Sequence, residues 1–510
     1  MSVFSEKVQT MGYQHRTFLV YVVLPRSSRS RHRQRQLVLL AQLQPMSGQS
    51  YVGDGSIGAV VLDLGSMNTR AGWAGDDQPT LTYASAIGAY HDAEGRWCST
   101  VEMDSLGWAQ PELQVKRLHN ARAGEEADLV FMQLCRHGLR KLRAEPRETP
   151  IVMTEAADAT AAARRHTAEL AFESLGTPAL CVARTPELSC IAAGRVSALV
   201  LELGAVFNTS CAVVDGTVQP RTVQKSKLST GNLARLFEQQ LAKGGTRLEP
   251  ACTVLGVKRP LTLGGAAGSS QLVPGMAARP VAADAAPVVA AYSEQLRKFR
   301  REELSREVFE SVSHVVEKKP GSGGSGSGGG GGSAAQAAAA AAAAEYTLPD
   351  GNKISVQGVE RFRLPEYLFQ GSGGADGGGG GGGGASSATL PPLQTMALST
   401  LALCESDYHK ELVRNVVLTG GGSCLPGLTD RLEMELKNAA RRQQHTMPVV
   451  ASQANKIALL FGTPNERKHG AWVGGSILGS MRSQHELWMS KAEYEEIGSA
   501  LIHRKGMRCV

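Results

Sequence analysis

Two stretches of the chain set an acid, an apolar residue and a glycine at the end of an apolar run. They are Asp63-Leu64-Gly65-Ser66-Met67-Asn68-Thr69 and, 139 residues further on, Glu202-Leu203-Gly204-Ala205-Val206-Phe207-Asn208-Thr209. A third glycine cluster, Gly420-Gly421-Gly422, follows the apolar run at 415–419. Backbone N–H groups in such turns can approach a phosphate or a nucleotide without side-chain obstruction, the more so where a helix N-terminus follows. The same turns also serve as plain connectors, so their chemistry depends on what brings them together.

The elements that must position them are those of an α/β protein. Residues 57–64, an apolar β-branched run, and 198–203, a second apolar run, read as buried strands, each leaving into its turn and returning as a second strand. Two hairpins of one design predict a duplicated α/β domain with a cleft between the copies. Residues 150–154 form a further strand, after which Asp158 is placed to cap a helix. That helix buries Ala168, Ala171, Phe172 and Leu175, spaced i, i+3, i+4 and i+7, and stops at Gly176 and Pro178. Behind the third turn, Pro426 opens a helix with Leu428, Leu432 and Leu436 on one face. Residues 472–481 read as a closely packed small-residue helix. Ser490-Lys491-Ala492-Glu493 is a capping box for a last short helix that stops at Gly498.

At about 150 residues per domain, a chain of 510 residues predicts two to four domains with ample length for a core. Of the formal charge of +7, the first 50 residues carry +6, from Glu6 against Lys7, Arg16, Arg26, Arg29, Arg31, Arg33 and Arg35. The remaining 460 residues, at +1, lack the net basic footprint of a nucleic-acid-binding core. The leader reads as an organelle transit peptide, as a nuclear-import patch at Arg29–Arg35, or as residues ahead of a true start at Met46. Nine scattered cysteines without a C-x-x-C argue against a disulfide framework and a zinc cluster, and fit a reducing compartment. The apolar run 18–24 is too short to span a bilayer, so no membrane partner is expected. Residues 320–344 and 371–387 read as flexible Gly/Ala-rich insertions that need no function. They loop around a retained strand pair at 346–369, and loop closure grows costly only slowly with length.

From Tyr51 onward the motifs resemble, in order, those of the actin family. Asp63-Leu64-Gly65-Ser66 with Arg70-Ala71-Gly72-Trp73-Ala74-Gly75-Asp76-Asp77 is similar to its first phosphate hairpin. Thr154-Glu155-Ala156, Gly176-Thr177-Pro178-Ala179, Leu348-Pro349-Asp350-Gly351 and Glu360-Arg361-Phe362-Arg363-Leu364-Pro365-Glu366 follow. Thr419-Gly420-Gly421-Gly422, Trp472-Val473-Gly474-Gly475-Ser476-Ile477-Leu478 and Ser490-Lys491-Ala492-Glu493-Tyr494 close the series. The resemblance implies an α/β, actin-like fold of two duplicated RNase-H-like α/β domains, with four subdomains around a nucleotide cleft. The first domain would take 51–195 and 470–510, with a small subdomain at about 86–118, and the second 196–469; residues 1–50 would be a disordered basic leader. Within the family the chain most resembles the nuclear actin-related proteins of the fourth subfamily. The lead-in Tyr51-Val52-Gly53-Asp54, the Lys225-Ser226 pair and Phe309-Glu310-Ser311-Val312 carry that likeness.

The resemblance implies ATP with Mg or Ca as the ligand. Asp63 stands at the family's first acidic position and Glu202 at its second, both reaching the metal through water. Gly65, Ser66 and Gly204 belong to the phosphate hairpins, and Arg70 replaces a phosphate-facing lysine. Lys468 matches a base-side lysine, Glu310 is a nucleobase or ribose contact, and Gly231, Gly420, Gly421 and Gly422 supply the floor. No catalytic residue is expected, because Thr185 stands for the water-orienting glutamine, Ala205 for a second acid and Thr209 for a histidine. Threonine is too short to present an amide to a lined-up water, and alanine accepts no proton. Met67 and Val206 stand where the hairpins want glycine, which narrows the approach of backbone to phosphate. An empty, closed cleft is the competing reading.

Polymerisation looks lost as well. Between Ile87 and Gly124 there is little room for a long outer loop, and the glycine tract replaces the apolar plug expected soon after Phe369. The function implied is a non-catalytic scaffold that pairs with actin on an amphipathic helix of a chromatin-remodelling ATPase or acetyltransferase platform. It would touch chromatin indirectly, in the nucleus, with a cytoplasmic pool open. The alternative is an ATP-hydrolysing, filament-forming cytoskeletal relative.

Overall fold

The computed structural model describes residues 58–92, 94–103, 112–121, 124–251, 293–316, 343–349, 351–371, 390–460, 462–481 and 485–505. The leader and the Gly/Ala-rich insertions lie outside these residues, apart from Ala343, Ala344 and Gly371.

Two sheets repeat one plan, with strands numbered in chain order. The first runs β17 (Met489–Ser490), β8 (Ala179–Arg184), β7 (Ile151–Glu155), β1 (Val60–Leu64), β2 (Asn68–Trp73), β3 (Leu81–Ala84). The second runs β11 (Thr217–Val218), β10 (Asn208–Val214), β9 (Ala198–Leu203), β15 (Val416–Thr419), β16 (Leu459–Leu460), with β12 (Gln224–Ser226) also on β10. In each, an antiparallel hairpin lies beside two parallel strands: β1–β2 with β7 and β8, and β9–β10 with β15 and β16. Strands covered on both faces need continuous apolar runs, and Val60, Val61, Leu62, Leu199, Val200 and Leu201 are all buried. Asp63 and Glu202 thereby become equivalent, each the penultimate residue of its central strand. A third sheet, β5 (Trp97–Thr100), β4 (Ala86–His91), β6 (Gln114–Arg117), and the hairpin β13 (Ala344–Thr347) with β14 (Lys353–Val356) complete the strands.

The helix Pro464–Ser480 starts from a capping box of Thr463 and Glu466 and packs against the helix Thr185–Ala192, β1, β7 and β15, so it touches both sheets. The small residues expected at 472–481 have a definite use here. A Cβ on Gly474 would overlap the Leu188 carbonyl, so glycine is what lets the two helices meet. Trp472 is wholly buried and its Nε1 donates to the Val61 carbonyl at 3.3 Å.

Four expectations are corrected in detail. The strand expected at 57–64 begins at Val60 among the described residues. The helix after β7 is Ala161–Glu169, capped by Thr160, whose Oγ1 accepts from Ala163 N at 3.2 Å. A cap must directly precede the first helical residue, and Asp158 lies too early; it pairs instead with Lys225 at 2.8 Å. The helix expected at Pro426 begins at Leu428, after a 3₁₀ turn at Gly421–Cys424, and Pro426 O instead receives Val315 N at 2.9 Å. Its N-terminus therefore does not follow directly on the glycine turn. Of residues 346–369 only β13 and β14 are strands; Gly358–Gln370 is a helix that buries Leu364 and Leu368, one turn apart, and retains Pro365.

Candidate functional site

The β1–β2 register sets Asp63 opposite Arg70, and Arg70 Nη1 lies 2.7 Å from Asp63 Oδ2. Thr154 Oγ1 donates to Asp63 Oδ1 at 2.8 Å, so both oxygens of this buried carboxylate are engaged. Arg70, expected to face phosphate, turns back to neutralise its own strand partner. Its Nε is buried without a partner among the described residues, as is Nδ1 of His469 on the helix Pro464–Ser480. Burial, reinforced by the charges of Arg70 and Lys468 and opposed by Asp63, pushes the His469 imidazole down to about 4. It is therefore neutral at physiological pH.

The β9–β10 register sets Glu202 opposite Thr209, so the second hairpin has a hydroxyl where the first has a guanidinium. Thr185 Oγ1 donates to Glu202 Oε2 at 2.9 Å, from the first turn of the helix that follows β8. Burial raises the Glu202 carboxyl above its ordinary range; the Thr185 hydrogen bond opposes this and the charge of Asp63 adds to it. The two acids thus act on each other between the two sheets.

The turns are fastened from behind. Gly65 O accepts from Ser85 Oγ at 2.6 Å, Met67 O from Ser85 N at 2.9 Å, and Ser66 O lies 2.7 Å from His119 Nδ1. In the second turn, Ala205 O accepts from Gly231 N at 3.0 Å and Ser229 Oγ at 2.8 Å. The amides of Ser66, Met67, Ala205 and Val206 find no acceptor among the described residues, which leaves an N–H edge of the kind that binds anions. Gly231 spends its amide on Ala205 and admits that turn to the start of the helix Thr230–Lys243. Gly204 N donates to Phe207 O at 3.1 Å. Gly420, at φ 92°, donates to Arg467 O at 2.9 Å and lies against the Leu203 carbonyl. Gly422 packs on Thr230, and Gly421 meets open space. Glu310 is half exposed and 4.0 Å from Arg306; it and the exposed Lys468 act on one another beside Cys424.

Sequence reasoning missed His469 and the contacts that join the lobes. Lys225 reaches Asp158 while sitting 4.3 Å over the Phe207 ring. Elsewhere, Arg117 on β6 pairs with Glu302 at 2.6 Å, and Val115 N donates to Gln295 Oε1 at 3.0 Å. Met103 and Leu113 pack with Leu296 and Phe299. The third sheet is thereby latched to the helix Glu294–Val312 of the other lobe. Pairings so far apart in sequence leave no periodic signal; His469 could have been suspected from its place beside Lys468.

A duplicated α/β unit whose paired acid-and-glycine turns meet at one cleft is the architecture expected above, and residues 54–507 match the family model described as Actin. The chain belongs to the actin family, with its α/β actin-like fold. It is 28% identical over 489 residues to actin-related protein 4 of Oryza sativa subsp. indica, covering 89% of this chain and 99% of that protein. Actin-related protein 4 of Yarrowia lipolytica is 26% identical over 471 residues, covering 90% and 97%. That of Arabidopsis thaliana is 26% identical over 482 residues, covering 89% and 99%. Among the described residues no helix is long and apolar enough to cross a membrane.

Proposed function

We propose that this chain is a non-catalytic, actin-related scaffold subunit that holds ATP without hydrolysing it. On this reading the free amides of Ser66, Met67, Ala205 and Val206 receive the phosphates, with Arg70 adding charge. Asp63 and Glu202 approach Mg or Ca through water, and Lys468 and Glu310 stand on the base side. The observation that carries the proposal is Thr185: its hydroxyl is committed to Glu202 where a water-orienting amide would be needed. Bound ATP would supply phosphates and a metal as a bridge between lobes, and the short Thr185 hydroxyl, already given to Glu202, would not line up a water.

The likeness to actin-related protein 4 and the order of the family motifs support the wider role. The chain would pair with actin on an amphipathic helix of a chromatin-remodelling ATPase or acetyltransferase platform in the nucleus, and meet chromatin through its partners. It would act as a monomer or a capped end; residues 372–384 of the glycine tract expected to replace an apolar plug lie outside the described residues. Affinity purification of the full chain from nuclei, with mass spectrometry, tests this. Actin and a remodelling or acetyltransferase platform should co-purify; recovery in cytoskeletal fractions, with phosphate release lost on Asp63→Ala, would establish the filament-forming alternative.

A further inference from the structure

The helix Glu125–Lys141 ends in a conformation that usually carries glycine, and here it carries arginine. Arg143 has φ 56°, its N–H donates to Arg140 O at 3.1 Å, and Ala144 N reaches back to Leu139 O at 2.9 Å. This pair of reversed bonds is the left-handed helix ending in which glycine avoids a steric penalty. Around it lies a surface hollow of about 350 Å³, lined by Arg136, Leu139, Arg140, Arg143, Glu145 and Pro146 among others.

The three arginines are exposed, and no carboxylate lies within ion-pair distance of them among the described residues. Arg136 donates to the Ser174 carbonyl at 3.3 Å and Arg140 lies 3.2 Å from His137 Nδ1, both uncharged acceptors. Lys141 turns away to Glu102. The helix dipole favours cations in a last turn, which accounts for Arg140 and Lys141. It does not require an arginine at a left-handed position, nor Arg136 a turn earlier. A guanidinium held against backbone preference at the edge of a hollow points to something it must meet.

We propose that this hollow docks an acidic peptide segment of a partner protein. Carboxylates would sit on the forks of Arg136, Arg140 and Arg143, and an apolar side chain against the part-exposed Pro146. A concave site rimmed by arginines suits a single extended acidic chain better than the convex backbone of a nucleic-acid duplex.

The test uses the full-length chain and a fluorescent twelve-residue peptide of Glu and Asp around one central Leu, read by anisotropy. Binding should weaken with salt, and fall by about tenfold or more in Arg136→Ala and in Arg143→Gly, as expected for a lost charge-assisted hydrogen bond. Arg143→Gly suits its backbone, so its melting temperature should be equal or higher while binding is lost, which separates recognition from folding. Absence of peptide binding, full binding by Arg143→Gly, or tighter binding of a DNA duplex through the same arginines would overturn the proposal.

Discussion

Asp63 is 4% exposed, and Arg70 is what makes its burial tolerable. Removing one partner of a buried pair strands a charge, which costs about 3 to 5 kcal/mol, whereas neutralising both costs far less. Urea unfolding of Arg70→Ala should show a loss of that order, largely recovered in the Asp63→Asn, Arg70→Gln double variant. His469 makes a second residue-scale prediction. Its imidazole is depressed to about 4 in the folded chain against about 6.5 when unfolded, so between those pH values the unfolded state binds the extra proton. This contribution to stability is therefore present above about pH 6.5 and is lost as pH falls towards 4. His469→Gln should flatten that part of the stability profile, measured by denaturation across the window.

The helix Thr185–Ala192 is packed against strands of both sheets. Glu187, 1% exposed, accepts Arg184 N at 3.1 Å to close its own helix start and Val218 N at 3.1 Å from β11 of the other sheet. Glu187→Ala would leave two buried amides unsatisfied and should cost about 2 to 4 kcal/mol in thermal or urea unfolding. Much at this scale was legible. The strands β1, β7, β9 and β15 are continuous apolar runs because both their faces are covered, and the Ser490 capping box announced the helix Lys491–Ile497. What escaped was decided by tertiary packing. The helix Gly358–Gln370 tolerates Pro365 because Leu364 and Leu368 are buried by neighbours that no local pattern reveals, and the wide turn Leu170–Leu175 shifts the end of its helix. The acids and turns of the cleft could be read directly. The orientation of Arg70 towards Asp63 could not, since it depends on the hairpin register.

At the scale of the whole molecule, the lobes are tied by Arg117 to Glu302, by Lys225 to Asp158, by Thr185 to Glu202 and along the helix Pro464–Ser480. A ligand held between lobes tied at several points should leave slowly. Glu302→Ala, which removes the partner of Arg117 and leaves the apolar cluster in place, should speed release of a fluorescent ATP analogue severalfold in stopped-flow exchange, with little change in melting temperature. Unchanged release would show that the latch does not govern access. The central claim, a nucleotide held and not turned over, is tested most directly by incubating the purified full-length chain with γ-labelled ATP and magnesium, then separating bound nucleotide and free phosphate. The account predicts intact ATP on the protein and no phosphate beyond the protein-free control; steady release of phosphate in excess of protein, abolished by Asp63→Ala, would contradict it.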